Sequence, residues 1–154
     1  MLVRGATELD VEAIVAVGRL TWPATYAFAG DDYVRSGLEK WWSAAAIRRS
    51  LRDTTVLVAE SDVGAVVGVG NIDLRGDVPV IWKLYVLPET QGTGAGSALV
   101  AGLLERAPGR PVRLEYVDGN VRAARFYAGR GFVEVRREAG ERPGWPDIVW
   151  MERR

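Results

Sequence analysis

The stretch Gln91-Gly92-Thr93-Gly94-Ala95-Gly96 places three glycines in five positions between an apolar run, "VIWKLYVL", and a helix-like run, "SALVAGLL". Each glycine weakens a strand or helix by up to ~1 kcal/mol, so a cluster here demands a reason. A strand that turns into a helix through glycines exposes a row of unpaired backbone N–H groups with the positive end of the helix dipole behind them. That combination holds an anion such as a phosphate. A flexible turn is the alternative reading of the glycines alone.

The rest of the chain limits the chemistry around that turn. Its 154 residues are enough for one domain with a real core, and 20 acidic against 20 basic residues give no overall bias toward nucleic acid or an anionic membrane. Lys40 and Lys83 are the only lysines; with abundant Ala, Gly and Val, this composition suggests a GC-rich bacterial genome. Cysteine and histidine are both absent, which excludes disulfides, thiolate nucleophiles, a Ser-His-Asp triad and the usual zinc sites. Acid–base chemistry must come from Asp, Glu, Tyr, Lys, water or backbone. No signal-peptide core and no apolar run near ~20 residues is seen, and a cytoplasmic location is the default expectation.

Periodicity orders the elements β-α-α-β-β-β-α-β-α-β-β over residues 1–154, an α/β mixture with hairpins in its first half. "LVRGAT" reads as a strand, with Thr7 or Asp10 capping a helix that Trp22-Pro23 stops. "SGLEKWWSAAAIRRSLRD" reads as one helix. In the strand over 78–87 the even positions Val80, Trp82, Leu84 and Val86 make the apolar face, opposite Lys83 and Tyr85. Trp82, Trp150 and Trp22 are expected in the core. Trp41 and Trp42 cannot share one helix side, so one faces a substrate groove or a subunit interface, which leaves a homodimer open. Trp145, in a loop between two prolines, is placed to wall an acceptor site, and Arg153-Arg154 reads as a solvated tail.

A dinucleotide-binding reading is weak, because Gly92 and Gly94 supply G-x-G but the third glycine falls on Ser97 and hairpins precede the motif. A P-loop is excluded, since no Gly-Lys-Ser/Thr follows. "LYVLPETQGTGAGSALV" instead resembles the acyl-CoA signature of the GNAT superfamily, the acyl-CoA-dependent N-acyltransferases, with Gln91, Gly94 and Gly96 filling Gln/Arg-x-x-Gly-x-Gly/Ala. "NVRAARFYAGRGF" resembles the family's second signature at the right separation.

The resemblance implies a single domain over 1–154 with a central mixed, mostly antiparallel sheet of about six to seven strands and about four helices. The sheet would splay between the strands before and after the CoA-binding helix. It implies acetyl-CoA as cosubstrate, no metal, and direct transfer of the acetyl group to a primary amine of a small molecule or peptide N-terminus. Backbone N–H groups of Gln91, Gly92, Thr93, Gly94, Ala95 and Gly96, with Ser97, would hold the pyrophosphate. Leu84, Tyr85 and Val86 would present main chain to the thioester and pantetheine arm, and Asn120 and Tyr127 would contact the CoA.

Tyr127 is the candidate acid for the departing thiolate, against a reading as an aromatic packed beneath the sheet, with Phe126 as the core member of the pair. Glu115, twelve positions earlier, is the candidate base, against a solvent-facing strand carboxylate. Asp73 and Glu89 are further ends for a water chain, since the position where many members carry a Glu reads Val80. A non-catalytic acyl-CoA-binding module would keep the glycine turn without needing Tyr127.

Overall fold

The computed structural model describes residues 1–154. The valine-rich runs form one seven-stranded sheet: β1 (Leu2–Gly5), β2 (Thr55–Glu60), β3 (Val66–Asp73), β4 (Val80–Val86), β5 (Val112–Val117), β6 (Val133–Glu138) and β7 (Ile148–Arg153). Five helices accompany it: α1 (Val11–Thr25), α2 (Asp31–Trp41), α3 (Ala44–Asp53), α4 (Ala95–Leu104) and α5 (Val121–Ala128). The strand order is β1-β2-β3-β4-β5-β7-β6, and every neighbouring pair is antiparallel except β4 and β5. The mixed, mostly antiparallel sheet expected from the sequence is present.

Strand alternation divides the core into two layers. On β2, Leu57 and Ala59 join Leu99 and Leu103 of α4 on one face, while Val56 and Val58 join Ile14 and Val17 of α1 and Ile47 of α3 on the other. The leucine stripe of α4 explains two glycines inside β3. A Cβ on Gly68 would stand 3.0 Å from Leu99 Cδ1, and one on Gly70 2.9 Å from Leu103 Cδ1. The helix therefore lies close to the strand only because side chains are missing there.

Three local readings of the sequence are corrected. Residues 36–53 form parts of two helices, not one. Ser43 starts the second by accepting a hydrogen bond from the Ala46 N–H at 3.1 Å, and Trp42 before it is fully buried, its ring filling the space where Gly18 has no side chain. Helix α1 runs through Pro23 to Thr25, because a proline in the last turn forgoes only one helical bond, and Tyr26 N–H still reaches Trp22 O at 3.0 Å.

The strict alternation on β4 fails at Trp82. Ile81 pairs with Ile72 but Lys83 pairs with Asn71, so Trp82 is an extra residue, a β-bulge. The core face becomes Ile81, Leu84 and Val86, while Trp82 is 43% exposed rather than buried. Trp22 and Trp150 are buried as expected, and of the Trp41-Trp42 pair Trp41 is the exposed member. Arg153, read as part of a solvated tail, ends β7 and donates from Nε to the Arg130 carbonyl at 3.0 Å.

Candidate active site

The bulge and the parallel junction together open the sheet. β4 and β5 pair only at Val80 with Arg113 and Ile81 with Leu114. Beyond that point the β5-facing edge of β4 has no strand beside it. Lys83 N–H donates to Asn71 Oδ1 at 2.8 Å and Leu87 N–H to Val67 O at 2.8 Å, both toward β3. By alternation, Leu84 and Val86 turn their main-chain groups into the gap. Gln91 Nε2 donates to the Val86 carbonyl at 3.3 Å, which ties the glycine turn to this edge. Tyr85, expected beside Leu84 and Val86, turns its main chain toward β3. Its position pairs with Val69 and its hydroxyl lies 3.0 Å from the Tyr26 hydroxyl on the helix α1–α3 side.

At the end of β4 the chain makes a short 3-10 turn, Pro88–Thr90, and then the glycine run. Gly92 has φ 84° and Gly94 φ 92°, a region side chains with a Cβ avoid, and nothing lies within 4 Å of where either Cβ would be. The N–H groups of Gln91 and Thr93 are used within the turn, donating to Pro88 O and Thr90 O at 3.3 Å. Those of Gly92, Gly94, Ala95, Gly96 and Ser97 have no carbonyl partner, and they gather at the start of α4. Five donors with open space before them and a helix dipole behind them fit a pyrophosphate.

Gly96 does more than leave its N–H free. Its Cβ would stand 3.3 Å from Cε1 and Cζ of Phe126, so the missing side chain lets α5 pack onto the start of α4. Arg130 caps that contact: its guanidinium lies 3.6 Å above the Phe126 ring, and it bonds Ser97 Oγ and the Phe126 carbonyl. Arg130 thus brings a positive charge to the unpaired N–H groups. Sequence reading missed it because Ser97 is 33 residues away and only folding brings them together.

Within the gap a small cavity joins Tyr127, Asn120, Glu115 and Leu84. Tyr127 is 8% exposed and Phe126 only partly buried, so Tyr127 rather than Phe126 is the more deeply packed of the pair. Burial raises the Tyr127 phenol above its usual range, so it is protonated at rest. Asn120 accepts the Ala123 N–H at 3.2 Å and starts α5 while also lining the cavity. Glu115 is half-buried on β5 without a hydrogen bond or ion pair to the protein. Burial pushes its carboxyl upward, with Glu138 adding repulsion. The two sequence candidates for proton transfer therefore border one cavity.

Of the other carboxylates, Asp73 is held by Arg75 at 3.0 Å and by Trp82 Nε1 at 3.2 Å, which lowers it to about 2 and makes it a poor base. Glu89 lies in the exposed 3-10 turn and borders neither cavity. A larger cavity of about 420 Å³ opens on the helix α1–α3 side and shares Glu115, Tyr26, Lys83 and Tyr85 with the small one. Its walls are aromatic, and Trp145 backs them by an edge contact with Tyr33 at 5.1 Å. No group of three metal-ligating side chains is present, and no helix is long and apolar enough to cross a membrane.

Comparison with known proteins agrees with this geometry. Residues 14–132 match the acetyltransferase (GNAT) family. An uncharacterised N-acetyltransferase of Mycobacterium tuberculosis is 34% identical over 131 residues, covering 80% of this chain and 83% of the relative. The PaiA N-acetyltransferase of Thermoplasma acidophilum, solved in complex with coenzyme A, superposes with a TM-score of 0.81 at 22% identity over 99% of this chain and 98% of its own. The ribosomal-protein-alanine N-acetyltransferase of Brucella melitensis superposes at 0.71 with 26% identity, covering 99% of each chain. With the splayed sheet and the glycine turn at the start of α4, these matches establish that the chain is an acyltransferase belonging to the GNAT family.

Proposed function

We propose that the protein transfers an acetyl group from acetyl-CoA directly to a primary amine, without a covalent enzyme intermediate, and that residues 1–154 form a single catalytic domain. The observation that carries this reading is the β4–β5 gap, which joins the unpaired N–H groups at α4 to a cavity bordered by Tyr127 and Glu115. Acetyl-CoA supplies the acetyl group as a thioester. Gly92, Gly94, Ala95, Gly96 and Ser97, with Arg130, hold its phosphates, and the main chain of Leu84 and Val86 aligns the arm in the gap.

An alkylamine with a pKa near ~10.4 is almost wholly protonated at neutral pH, so a base must take its proton. Glu115 does so, directly or through water, from the floor shared by both cavities. Tyr127, kept protonated by burial, returns a proton to the departing sulfur. A chain without Cys or His needs no nucleophile of its own for this route. The test is release of free CoA thiol from acetyl-CoA across a panel of small amines, aminoglycosides and peptides with free N-termini. Thiol release that depends on the amine supports the transferase. Coenzyme A binding without release by any amine leaves only a binding module.

A further inference from the structure

The larger cavity carries charges that the proposed proton transfers do not use. Lys83, the residue after the β4 bulge, enters it between two tryptophans, with Nζ 5.8 Å from the Trp41 ring centroid and 5.4 Å from that of Trp42. Its ammonium donates to no acceptor and pairs with no carboxylate. The neighbouring acids are already taken. Asp73 is held by Arg75 at 3.0 Å, and Asp53 by Arg75 at 3.5 Å and Arg52 at 3.4 Å. Arg49 of α3 lines the same cavity, also without an ion pair, and adds its repulsion to Lys83. Burial first and Arg49 second lower the Lys83 ammonium to about 8. Beside the Arg75–Asp73–Asp53 cluster the cavity thus holds two cations without an ion pair, and one free carboxylate, Glu115, where it meets the β4–β5 gap.

A half-buried ammonium between two aromatic faces, with no acceptor, is poorly solvated, and a carboxylate supplied by a ligand relieves that deficit with a charge-assisted hydrogen bond. The same two cations repel an acceptor that carries several positive charges. About 420 Å³ lies within the range of small-molecule sites, and the aromatic walls suit an apolar body.

From this arrangement we infer that the acceptor is a small amino-carboxylate, with its amine toward Glu115 and its carboxylate on Lys83 and Arg49. The inference rests on the transferase reading for the amine end and on Lys83 for the other. It excludes polyamines and aminoglycosides as preferred acceptors.

Calorimetric titration of the protein saturated with coenzyme A tests it with matched pairs: phenylalanine and phenethylamine, tryptophan and tryptamine, γ-aminobutyrate and propylamine. At least one carboxylate member is expected to bind tenfold or more tightly than its twin. Lys83→Met should shrink that gap at least tenfold, and Arg49→Gln, at an exposed helix position, should shrink it several-fold should the first variant melt early. Twins bound equally, carboxylates bound by neither protein, or a preference for spermidine would overturn the inference. Thiol release on the same panel reports the transferase separately. A binding gap without turnover sinks the catalytic reading alone, and turnover of both twins at equal affinity sinks this inference alone.

Discussion

Tyr127 and Glu115 border one cavity from α5 and β5, and burial acts on both in the same direction, toward the protonated form. For the phenol this is useful, because an acid must hold its proton until the sulfur departs. Tyr127→Phe keeps the ring that packs edge-on against Phe126 and Phe132 and removes only the hydroxyl. It is expected to lower kcat by ~10²-fold with acetyl-CoA affinity within a few fold and an unchanged melting temperature. Equal turnover would make the ring structural. For Glu115 a raised pKa means that the carboxylate form appears at higher pH than for an ordinary glutamate. Glu115→Gln should therefore show a kcat/KM deficit that grows as pH rises through that pKa. It should shrink again toward ~10.4, where solution supplies neutral amine. A pH–rate profile of both proteins checks this, and a flat offset would move the base elsewhere. Both were candidates in the sequence, Tyr127 within the second signature and Glu115 twelve positions before it. Lys83 and Trp82 were not, because one bulged residue moves Trp82 out of the core face that simple alternation predicts, leaving it beside Lys83 at the cavity.

The start of α4 gathers the unpaired N–H groups, and its glycines divide into two kinds. Gly94 needs its positive φ and faces open space, whereas Gly96 has helical backbone and faces Phe126 at 3.3 Å. Gly94→Glu puts a negative side chain before the unpaired N–H groups. It is expected to abolish measurable coenzyme A binding while the fold survives a local strain of about 1–2 kcal/mol. Gly96→Glu collides with the Phe126 ring and should lower the melting temperature as well, because α5 must shift. Titration calorimetry beside thermal melts distinguishes the two, and wild-type affinity in a folded Gly94→Glu protein would refute the phosphate assignment. The turn was legible as a run of free backbone N–H groups, but the division of labour was not. Gly96 is explained only by a ring 30 residues later in the chain. The break between α2 and α3 was likewise hidden. Ser43 reads as a cap only once Trp42 is seen buried against Gly18.

Across the molecule, the gap is a property of sheet order, since β4 and β5 are joined by α4 and run parallel while their other neighbours run antiparallel. A ligand that spans the gap stabilises both halves of the sheet at once. Acetyl-CoA at a hundred times its dissociation constant should add about 2.7 kcal/mol and raise the melting temperature by roughly 5–10 °C. A thermal melt with and without the ligand measures it, and no shift would argue that the gap is not the binding site. Sequence alone determined the α/β class and the run of seven strands along the chain, the glycine turn with its free N–H groups, and the lack of thiol and imidazole chemistry. These rest on local periodicity, on glycine's backbone freedom and on which side chains exist. Tertiary structure alone decided the bulge that presents Trp82 and Lys83 to the larger cavity and the meeting of Arg130 with Ser97. It also decided which carboxylates are neutralised and which, like Glu115, are left free. Such contacts join residues far apart in the chain, and no local pattern encodes the partner that a charge or a ring will find when the layers close.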